Sequence, residues 1–316
     1  MISLSYVPVE FNFHFAQNMD ETQATSLAFV LRSVLGYNLR SMACISHKNQ
    51  CPDCMYYKTC AYSYIFETII SQNNEVHSGT NRASHPFIFS KIDYTTVEKG
   101  VGFGTDISFT VTLLGKAISF LPYIYAAFSK AGDNGLFKER IQYEIKDVII
   151  NGESILIDKN NLNTDFESCL WKYSPEQKGN PLVEKEILIE LKTPLRFKSN
   201  GQYTMDFTSL GFMNCLFRRL KACCVLYGIF EDDFLYNGKY LASTDLTIVE
   251  RNLKWVDSPH YSSRQKNSME LGGLTGTFKM RGPFSEFDLA LLDFATIFNA
   301  GKNTNFGLGR IDYWCK

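Results

Sequence analysis

Hydrophobic and polar side chains alternate in the first strand-like segment of the chain, VPVEFNFHF. Val7, Val9, Phe11, Phe13 and Phe15 fall on one side of the alternation, with a proline and three polar residues between them. A period of two residues is typical of a strand that is covered on one face. The segment therefore predicts the first β-strand.

The spacing of apolar residues becomes helical in the next segment, DETQATSLAFVLRSVLGYNLRSM, where Asp20 and Gln23 are positioned as a capping pair. After a cysteine-rich stretch, the pattern predicts strands at HPFIFSKID and TDISFTVTLLG, a second helix at KAISFLPYIYAAFSKAG and a strand at RIQYEIKDVII. We expect Pro122 to kink the second helix and Gly132 to end it. The predicted order is strand, helix, strand, strand, helix, strand.

The second half of the chain repeats this order. Its strands are predicted at KEILIELKTPLRF, LTIVERNLKWVD, GLTGTFKMRG and FGLGRIDYW, and its helices begin at Asp206 and at Ser285. Two successive βαββαβ units predict an α+β fold of tandem ferredoxin-like domains. The predicted boundaries are residues 1–150 for the first domain with a cysteine-rich insert at 43–61, residues 151–184 for a polar linker with a hairpin-like start, and residues 185–316 for the second domain.

Composition and charge narrow the class of protein. The chain has 316 residues, of which 45% are hydrophobic, and this is enough for two domains with full cores. No apolar run is as long as a membrane span and the first residues lack the pattern of a signal peptide, so we expect a cytoplasmic protein. With a formal net charge of -1, the chain as a whole is not basic enough to attract nucleic acid. A nucleic-acid partner would need a local positive groove.

Cysteine is the residue type with the most suggestive spacing. In a reducing compartment the nine cysteines are expected to be thiols or metal ligands rather than disulfides. Cys44, Cys51, Cys54 and Cys60 combine a CxxC pair with two further thiols, so we predict a structural zinc site. Iron–sulfur ligation and plain free thiols are the alternatives, because the spacing differs from that of common zinc ribbons. The cysteines of the helical pattern are expected in the core: Cys215, Cys223 and Cys224.

The stretch GKNTNFGLGR, residues 301–310, joins the last predicted helix to the last predicted strand. A Walker loop is excluded because Thr296 stands where that loop needs glycine, and a dinucleotide loop would have to follow a strand and open a helix. On a structural interpretation, the glycines end the helix and form bulges or close backbone contacts. On a functional interpretation, freed backbone N–H groups beside Lys302 and Arg310 line a path for a phosphodiester backbone.

Several segments together resemble the CRISPR repeat-processing endoribonucleases of the RAMP (repeat-associated mysterious protein) superfamily. GKNTNFGLG is similar to the C-terminal glycine-rich loop of that superfamily. Its first helix, in a cysteine-bearing variant, is similar to LRSVLGYNLRSMAC followed by CPDCMYYKTCAYSYIFE. Segments of its second domain are similar to LKTPLRFK and WVDSPHYSSRQKNSMELGGLTGTF. The resemblance implies tandem ferredoxin-like domains and binding of a CRISPR repeat in precursor RNA. It also implies one metal-independent cut by the ribose 2'-hydroxyl, which leaves a 2',3'-cyclic phosphate and a 5'-hydroxyl. Other CRISPR effector or adaptation proteins are candidate partners.

Such a cut needs a base for the 2'-hydroxyl, an acid for the departing 5'-oxygen and a cation near the phosphate. The resemblance implies a histidine on or just after the first helix, and His47 occupies that place. Lys48 is predicted to stabilise charge, and Tyr37 to orient or donate a proton. If His47 replaced Cys44 as a metal ligand, its imidazole would not be free to act as a base. The other histidines stay open as alternatives: His14, His77, His85 and His260.

The residues predicted to contact RNA lie in three segments of the second domain. They are Lys302, Asn303, Asn305 and Arg310 of the glycine-rich stretch, Arg264 and Lys266 of YSSRQK, and Lys279 and Arg281 of FKMRG. Their cations would attract phosphates, and Tyr261 and Phe306 would stack on unpaired bases. Two alternatives to an enzyme are a non-catalytic RAMP subunit that holds guide RNA in an effector complex, and a zinc-organised DNA-binding or adaptor protein.

Overall fold

The computed structural model describes residues 1–46, 50–70, 83–92, 105–174, 182–199, 201–231, 245–257, 259–262 and 267–315. The chain divides into two compact units, one formed by Ser5–Leu170 and the other by Met1–Leu4 together with Trp171–Lys316. Both units combine helices with antiparallel sheet, so the mixed α and β class predicted from the sequence is confirmed. In the described residues, no helix has the length and apolar character needed to span a membrane.

The first unit carries most of its strands in one sheet. Its elements are β1 (Ile2–Phe15, whose first residues belong to the other unit), α1 (Glu21–Ala43), β2 (Phe87–Ile92), β3 (Thr105–Leu114), α2 (Leu121–Asn134), β4 (Tyr143–Ile150), β5 (Glu153–Ser154), β6 (Leu156–Asp158) and β7 (Asn161–Leu162). The strand order is β2-β3-β1-β4-β5, and the pairs are antiparallel. The alternation predicted for β1 is confirmed, because its apolar residues from Val7 to Phe15 are all buried.

The second unit has a four-stranded antiparallel sheet in the order β13-β16-β9-β17. The elements of this half of the chain are β8 (Cys169–Tyr173), β9 (Val183–Leu195), β10 (Lys198–Ser199), β11 (Gln202–Tyr203), α3 (Ser209–Tyr227), β12 (Ile229–Phe230), β13 (Thr247–Val256), β14 (Pro259–Ser262), β15 (Asn267–Glu270), β16 (Gly273–Phe284), α4 (Glu286–Phe298) and β17 (Ile311–Cys315).

Two helix starts follow from local capping. The Asp20 carboxylate accepts a hydrogen bond from the backbone N–H of Gln23 at 2.7 Å, and the Gln23 side chain accepts one from the backbone N–H of Asp20. Ser285 and Asp288 form the same reciprocal pair at α4. Both arrangements are capping boxes, which satisfy backbone donors that a helix leaves unpaired at its first turn. The predicted starts of α1 and α4 are therefore confirmed.

Three predicted details of the helices are wrong. Pro122 lies in the first turn of α2, where proline is favoured, and therefore does not kink the helix. α2 continues past Gly132 to Asn134, and Gly135 follows it at φ +75°. α3 begins after Thr208 rather than at Asp206, because the Thr208 hydroxyl caps the N–H of Gly211 at 3.0 Å.

Candidate functional site

The glycine-rich loop, residues 301–309, lies between α4 and β17, as predicted. Four hydrogen bonds hold the loop and its flanks. Backbone N–H groups of Lys302 and Gly309 donate to the carbonyl oxygens of Arg196 at 2.9 Å and Pro194 at 3.1 Å, and that of Ala300 donates to Gly309 at 2.7 Å. The hydroxyl of Thr193 donates to the carbonyl of Gly307 at 2.8 Å. The loop is thus fastened to the end of β9.

The glycines of the loop are required by backbone geometry. Gly301 and Gly309 have φ of +73° and +77°, a region that L-residues with side chains rarely adopt. A Cβ at Gly309 would lie 1.8 Å from the carbonyl oxygen of Ala300, and a Cβ at Gly301 would lie 2.5 Å from that of Arg196. The close backbone contacts of the structural interpretation are therefore sufficient to explain these glycines. The expectation that Gly301 ends the helix is wrong, because α4 ends at Phe298 and Asn299 is its cap.

Several backbone donors of the loop and of its two flanking residues are engaged within the protein. The residues whose N–H groups donate internally are Ala300, Lys302, Phe306, Gly307, Gly309 and Arg310. A donor that already has a partner is not available to a phosphate oxygen. The loop therefore does not present an uninterrupted row of free N–H groups, and its side chains are the groups we consider for holding an anion.

Helix α3 supports the loop from the core side. The guanidinium of Arg219 is buried and donates through Nε and Nη2, each at 3.2 Å, to the carbonyl oxygen of Phe298 at the end of α4. A cation at a helix C-terminus compensates the partial negative charge of the last carbonyls. Cys215 is also buried, as predicted for the α3 cysteines, and burial raises the pKa of its thiol to about 12.

The predicted RNA-contacting residues of the loop differ in exposure. Lys302 is exposed, Asn303 and Arg310 are half-buried, and Asn305 is buried. No carboxylate in the described residues forms an ion pair with Lys302. Lys302 is therefore the loop residue most available to an anionic ligand.

Two other predicted RNA-contacting residues are already paired with carboxylates. On β16, Lys279 forms an ion pair with Glu250, and Nε of Arg281 donates to Glu186 at 3.0 Å. Both cations project from the face of the sheet opposite its core, and a neighbouring carboxylate offsets each charge. They are thus weaker candidates than Lys302. The other predicted cations, Arg264 and Lys266, and the side chain of Tyr261 lie outside the described residues.

The predicted catalytic residues are only partly described. His47 and Lys48 lie outside the described residues, as does the alternative His77, and only the backbone of His260 is described. Tyr37 is on α1 with 73% of its surface exposed, so its hydroxyl is open to a ligand.

Two alternative histidines are held by neighbours. Nδ1 of His14 lies 2.7 Å from a carboxylate oxygen of Asp106. His85 lies with Nε2 3.0 Å from a guanidinium nitrogen of Arg32, and its ring is 5.5 Å from that of Phe87. Each ring is therefore oriented by a fixed partner.

The four cysteines predicted as metal ligands line one cavity of about 360 Å³: Cys44, Cys51, Cys54 and Cys60. Cys44 is the residue that caps α1, and Cys51 begins a short 3-10 turn with Pro52. Within the part of the chain that the structure describes, no three histidine, cysteine or acidic side chains are grouped closely enough to hold an ion. Burial, with a smaller contribution from the charge of Glu67, raises the pKa of the Cys51 thiol to about 11.

Basic side chains at the end of β9 were not among the residues predicted to contact RNA. Arg196 and Lys198 alternate with buried Phe197, so that both lie on the same side of the chain, and both lie against the ring of Tyr203. The alternation of basic and aromatic residues in LRFK is the signal that could have identified them.

Two family models match the chain. Residues 4–165 match a model described as an N-terminal domain (AF_1859_N), and residues 189–311 match the model of the CRISPR-associated endoribonuclease Cas6. The second match begins in β9, ends in β17 and includes the whole glycine-rich loop. No curated protein matches the sequence.

Solved structures share the fold at low sequence identity. A product complex of Cas6 (TTHB231) has a TM-score of 0.50 and 15% identity, over 98% of this chain and 100% of that one. Thermus thermophilus Cas6 (TTHB231) has a TM-score of 0.50 and 13% identity, over 98% and 99%. A partial Cas6-RT-Cas1–Cas2 complex has a TM-score of 0.51 and 14% identity, over 99% of this chain and 46% of that one.

Proposed function

Since the chain belongs to the family of the CRISPR-associated endoribonuclease Cas6, with an N-terminal domain of the AF_1859_N family, we propose that it binds a CRISPR repeat in precursor RNA and cuts it once without a metal ion. The match of residues 189–311 to the endoribonuclease model is the observation that carries this proposal. The product complex that shares the fold is consistent with RNA as the substrate class.

The strand orders support the finer fold proposal of two ferredoxin-like domains in tandem. In the first unit the order is β2-β3-β1-β4, and in the second it is β13-β16-β9-β17. Each is the second, third, first and fourth strand of a βαββαβ unit, with a helix after the first strand and after the third. The cysteine-rich insert follows α1, between that helix and β2.

In the proposed cut, the scissile phosphorus exchanges its bond to the 5'-oxygen for a bond to the 2'-oxygen. The 2'-oxygen forms a bond to the scissile phosphorus as its proton passes to a base, and the bond from phosphorus to the 5'-oxygen breaks as an acid protonates the leaving oxygen. We assign the base to His47, stabilisation of the phosphate charge to Lys48, and orientation or proton donation to Tyr37. The exposure of Tyr37 and the end of α1 at Ala43, shortly before His47, support this assignment.

A cleavage assay with the repeat RNA in EDTA tests the proposed function. We expect a single cut, with a 2',3'-cyclic phosphate identified by mass spectrometry. His47→Ala is expected to slow cutting about 100-fold or more, in the range that general acid–base catalysis contributes, with little change in RNA affinity.

His14→Ala is the matched comparison for His47→Ala, because Asp106 already orients the His14 ring. A larger loss of rate in His14→Ala would reassign the base. Tight binding with no cyclic-phosphate product from the unmodified protein would exclude the enzyme and favour a subunit that holds guide RNA. Equal affinity for duplex DNA would instead favour the DNA-binding alternative.

Association with other CRISPR proteins is part of the proposal. The Cas6-RT-Cas1–Cas2 complex contains a region that shares the fold of nearly the whole of this chain. That arrangement supports CRISPR adaptation proteins as the partner class. Co-purification with such proteins, before and after ribonuclease treatment, separates direct contact from contact through RNA.

We further propose that the cysteine cavity holds a structural zinc ion. Cys44, Cys51, Cys54 and Cys60 all line it, and four thiolates match the ligand set of a closed zinc site. A bound cation would ionise the thiols, including Cys51, whose pKa is raised by burial. The residues thus fit the ion in type and number. Their side chains are not grouped closely enough to hold an ion in the described residues, so the proposal requires that binding draw the thiols together. The catalytic proposal does not route any step through the ion.

Metal analysis of the purified protein tests the zinc proposal. We expect about one zinc per chain and loss of most of it in Cys54→Ser, because a site with three ligands binds more weakly. Cys315→Ser, which changes an exposed cysteine in β17, is the matched control and should keep the metal. Iron with acid-labile sulfide would replace the zinc assignment, and full retention of zinc in Cys54→Ser would contradict it.

A further inference from the structure

Three cations surround Tyr203, next to the glycine-rich loop. The guanidinium carbon of Arg196 lies 4.3 Å from the centroid of the Tyr203 ring, and Nζ of Lys198 lies 5.4 Å from it. Lys302 acts on Tyr203 through its charge, and its backbone N–H donates to the carbonyl oxygen of Arg196 at 2.9 Å. We call Arg196, Lys198, Tyr203 and Lys302 the Tyr203 cluster.

In the described part of the second unit, the lysines of the Tyr203 cluster have no carboxylate partner of the kind found at other lysines. Lys279 on β16, for example, is paired with Glu250. Among the described residues, no carboxylate pairs with Lys198 or with Lys302. Like charges held close together repel, and an anion bound between them relieves that repulsion and is attracted by each. The cluster therefore has the charge of an anion-binding site.

The hydroxyl of Tyr203 is affected by the same charges. Burial acts to raise the pKa of Tyr203, but the hydrogen bond from Arg196 and the charges of Lys302, Arg196 and Lys198 outweigh it and lower the pKa. An environment that favours a phenolate oxygen also favours another oxyanion nearby. Tyr203 is 36% exposed, so a ligand can reach it.

We propose that the Tyr203 cluster binds one phosphodiester group of the RNA strand and so positions the strand beside the glycine-rich loop. The inference rests on the proposed function, because it takes RNA as the substrate. Arg196 provides planar donors whose direction is fixed by stacking on the ring, and Lys198 and Lys302 provide two further charges. The hydroxyl of Tyr203 can donate to a phosphate oxygen. All of these groups are side chains, in keeping with the engaged backbone donors of the loop.

The geometry favours a phosphate over a stacked base as the bound group. A base that stacks on an aromatic side chain needs an open ring face. The ring of Tyr203 already has Arg196 and Lys198 against it. The ring thus orients the cations, and the charge of the cations favours an anionic ligand.

Salt-dependent binding of an uncleavable repeat RNA, with a 2'-deoxy sugar at the cut site, tests the proposal. The slope of log affinity against log salt falls by about 0.7 for each lost phosphate contact to a single strand. Lys198→Ala and Lys302→Ala are each expected to reduce the slope by up to that amount, and to weaken binding several-fold at low salt. Lys172→Ala, an exposed lysine on β8 of the same unit, is the matched control and should leave the slope unchanged.

Variants of the aromatic ring separate positioning from charge. Tyr203→Phe keeps the platform for Arg196 and should weaken binding less than Tyr203→Leu, which removes it. Thermal unfolding of each variant checks that the second unit is intact. Unchanged slopes in Lys198→Ala and Lys302→Ala, with steep salt dependence in the unmodified protein, would overturn the site but not the proposed function.

Competitors identify the source of the anion. If the cluster binds an RNA strand, inorganic phosphate at constant ionic strength should compete only weakly with the RNA. Displacement of the RNA at low millimolar phosphate would show that the cluster is a site for a free anion. Polyglutamate of equal charge that displaces RNA at equal concentration would assign the site to an acidic protein. An unmodified protein that fails to bind repeat RNA at low salt would overturn the proposed function together with this site.

Discussion

Gly309→Ala is expected to lower the free energy of unfolding of the second unit by about 3 kcal/mol or more and to weaken RNA binding. At φ +77°, a residue with a side chain costs about 1–2 kcal/mol. The added Cβ would also lie 1.8 Å from the carbonyl oxygen of Ala300, and the backbone shift needed to relieve such crowding costs about 1–3 kcal/mol. Urea denaturation, followed by tyrosine and tryptophan fluorescence, measures the loss.

Gly152→Ala is the control for this effect. Gly152 has φ +84°, and no atom lies within 4 Å of an added Cβ. The substitution therefore keeps the conformational cost of about 1–2 kcal/mol and removes the steric cost. Equal losses in the two variants would show that the contact with Ala300 is not what requires glycine in the loop.

Phe128→Ala is expected to destabilise the first unit by about 3–5 kcal/mol, the usual range for removing a buried aromatic side chain. Phe128 on α2 is fully buried, and its ring centroid lies 5.2 Å from that of Phe11, 5.8 Å from that of Phe13 and 5.6 Å from that of Phe109. Its removal leaves a cavity between the helix and the sheet. Thermal unfolding and denaturant titration give the magnitude.

Tyr123→Ala tests the same helix on its exposed side. Tyr123 is 47% exposed and touches only the ring of Phe120 among the described aromatic contacts. We expect a loss of about 0.5 kcal/mol, as for most surface substitutions. Because alanine favours the helix in both variants, a comparable loss in both would mean that the burial of Phe128 is not what stabilises α2.

The order of elements could be predicted from the sequence because it depends on local patterns. The alternation in β1 and the capping boxes at Asp20 and Ser285 involve residues within a few positions of each other. The start of α3 could not be predicted, because Asp206 and Thr208 are both good capping residues. The Asp206 carboxylate does not cap the helix but forms an ion pair with Arg251, whose guanidinium lies 2.9 Å away. The two residues are distant in sequence.

The candidate site was only partly predictable for the same reason. The glycine-rich loop could be located from the sequence, but the internal use of its backbone donors depends on the end of β9, which is distant in sequence. The partner of Lys279 is also distant, since Glu250 reaches it across the pairing of β13 with β16. The contact between Lys302 and Arg196 joins segments that no local pattern relates.

The chain's first residues determine how the molecule can be dissected. Ile2 pairs with Phe230, and the side chains of Ile2 and Leu4 are fully buried, so residues 1–4 belong to the unit that otherwise begins at Trp171. A fragment that starts at Trp171 would expose an unpaired strand edge beside β12 and an empty apolar pocket. A separately expressed C-terminal half would therefore need these four residues supplied as a tethered or added peptide. For the same reason, a bulky group fused before Met1 would disturb the C-terminal half and not the first unit.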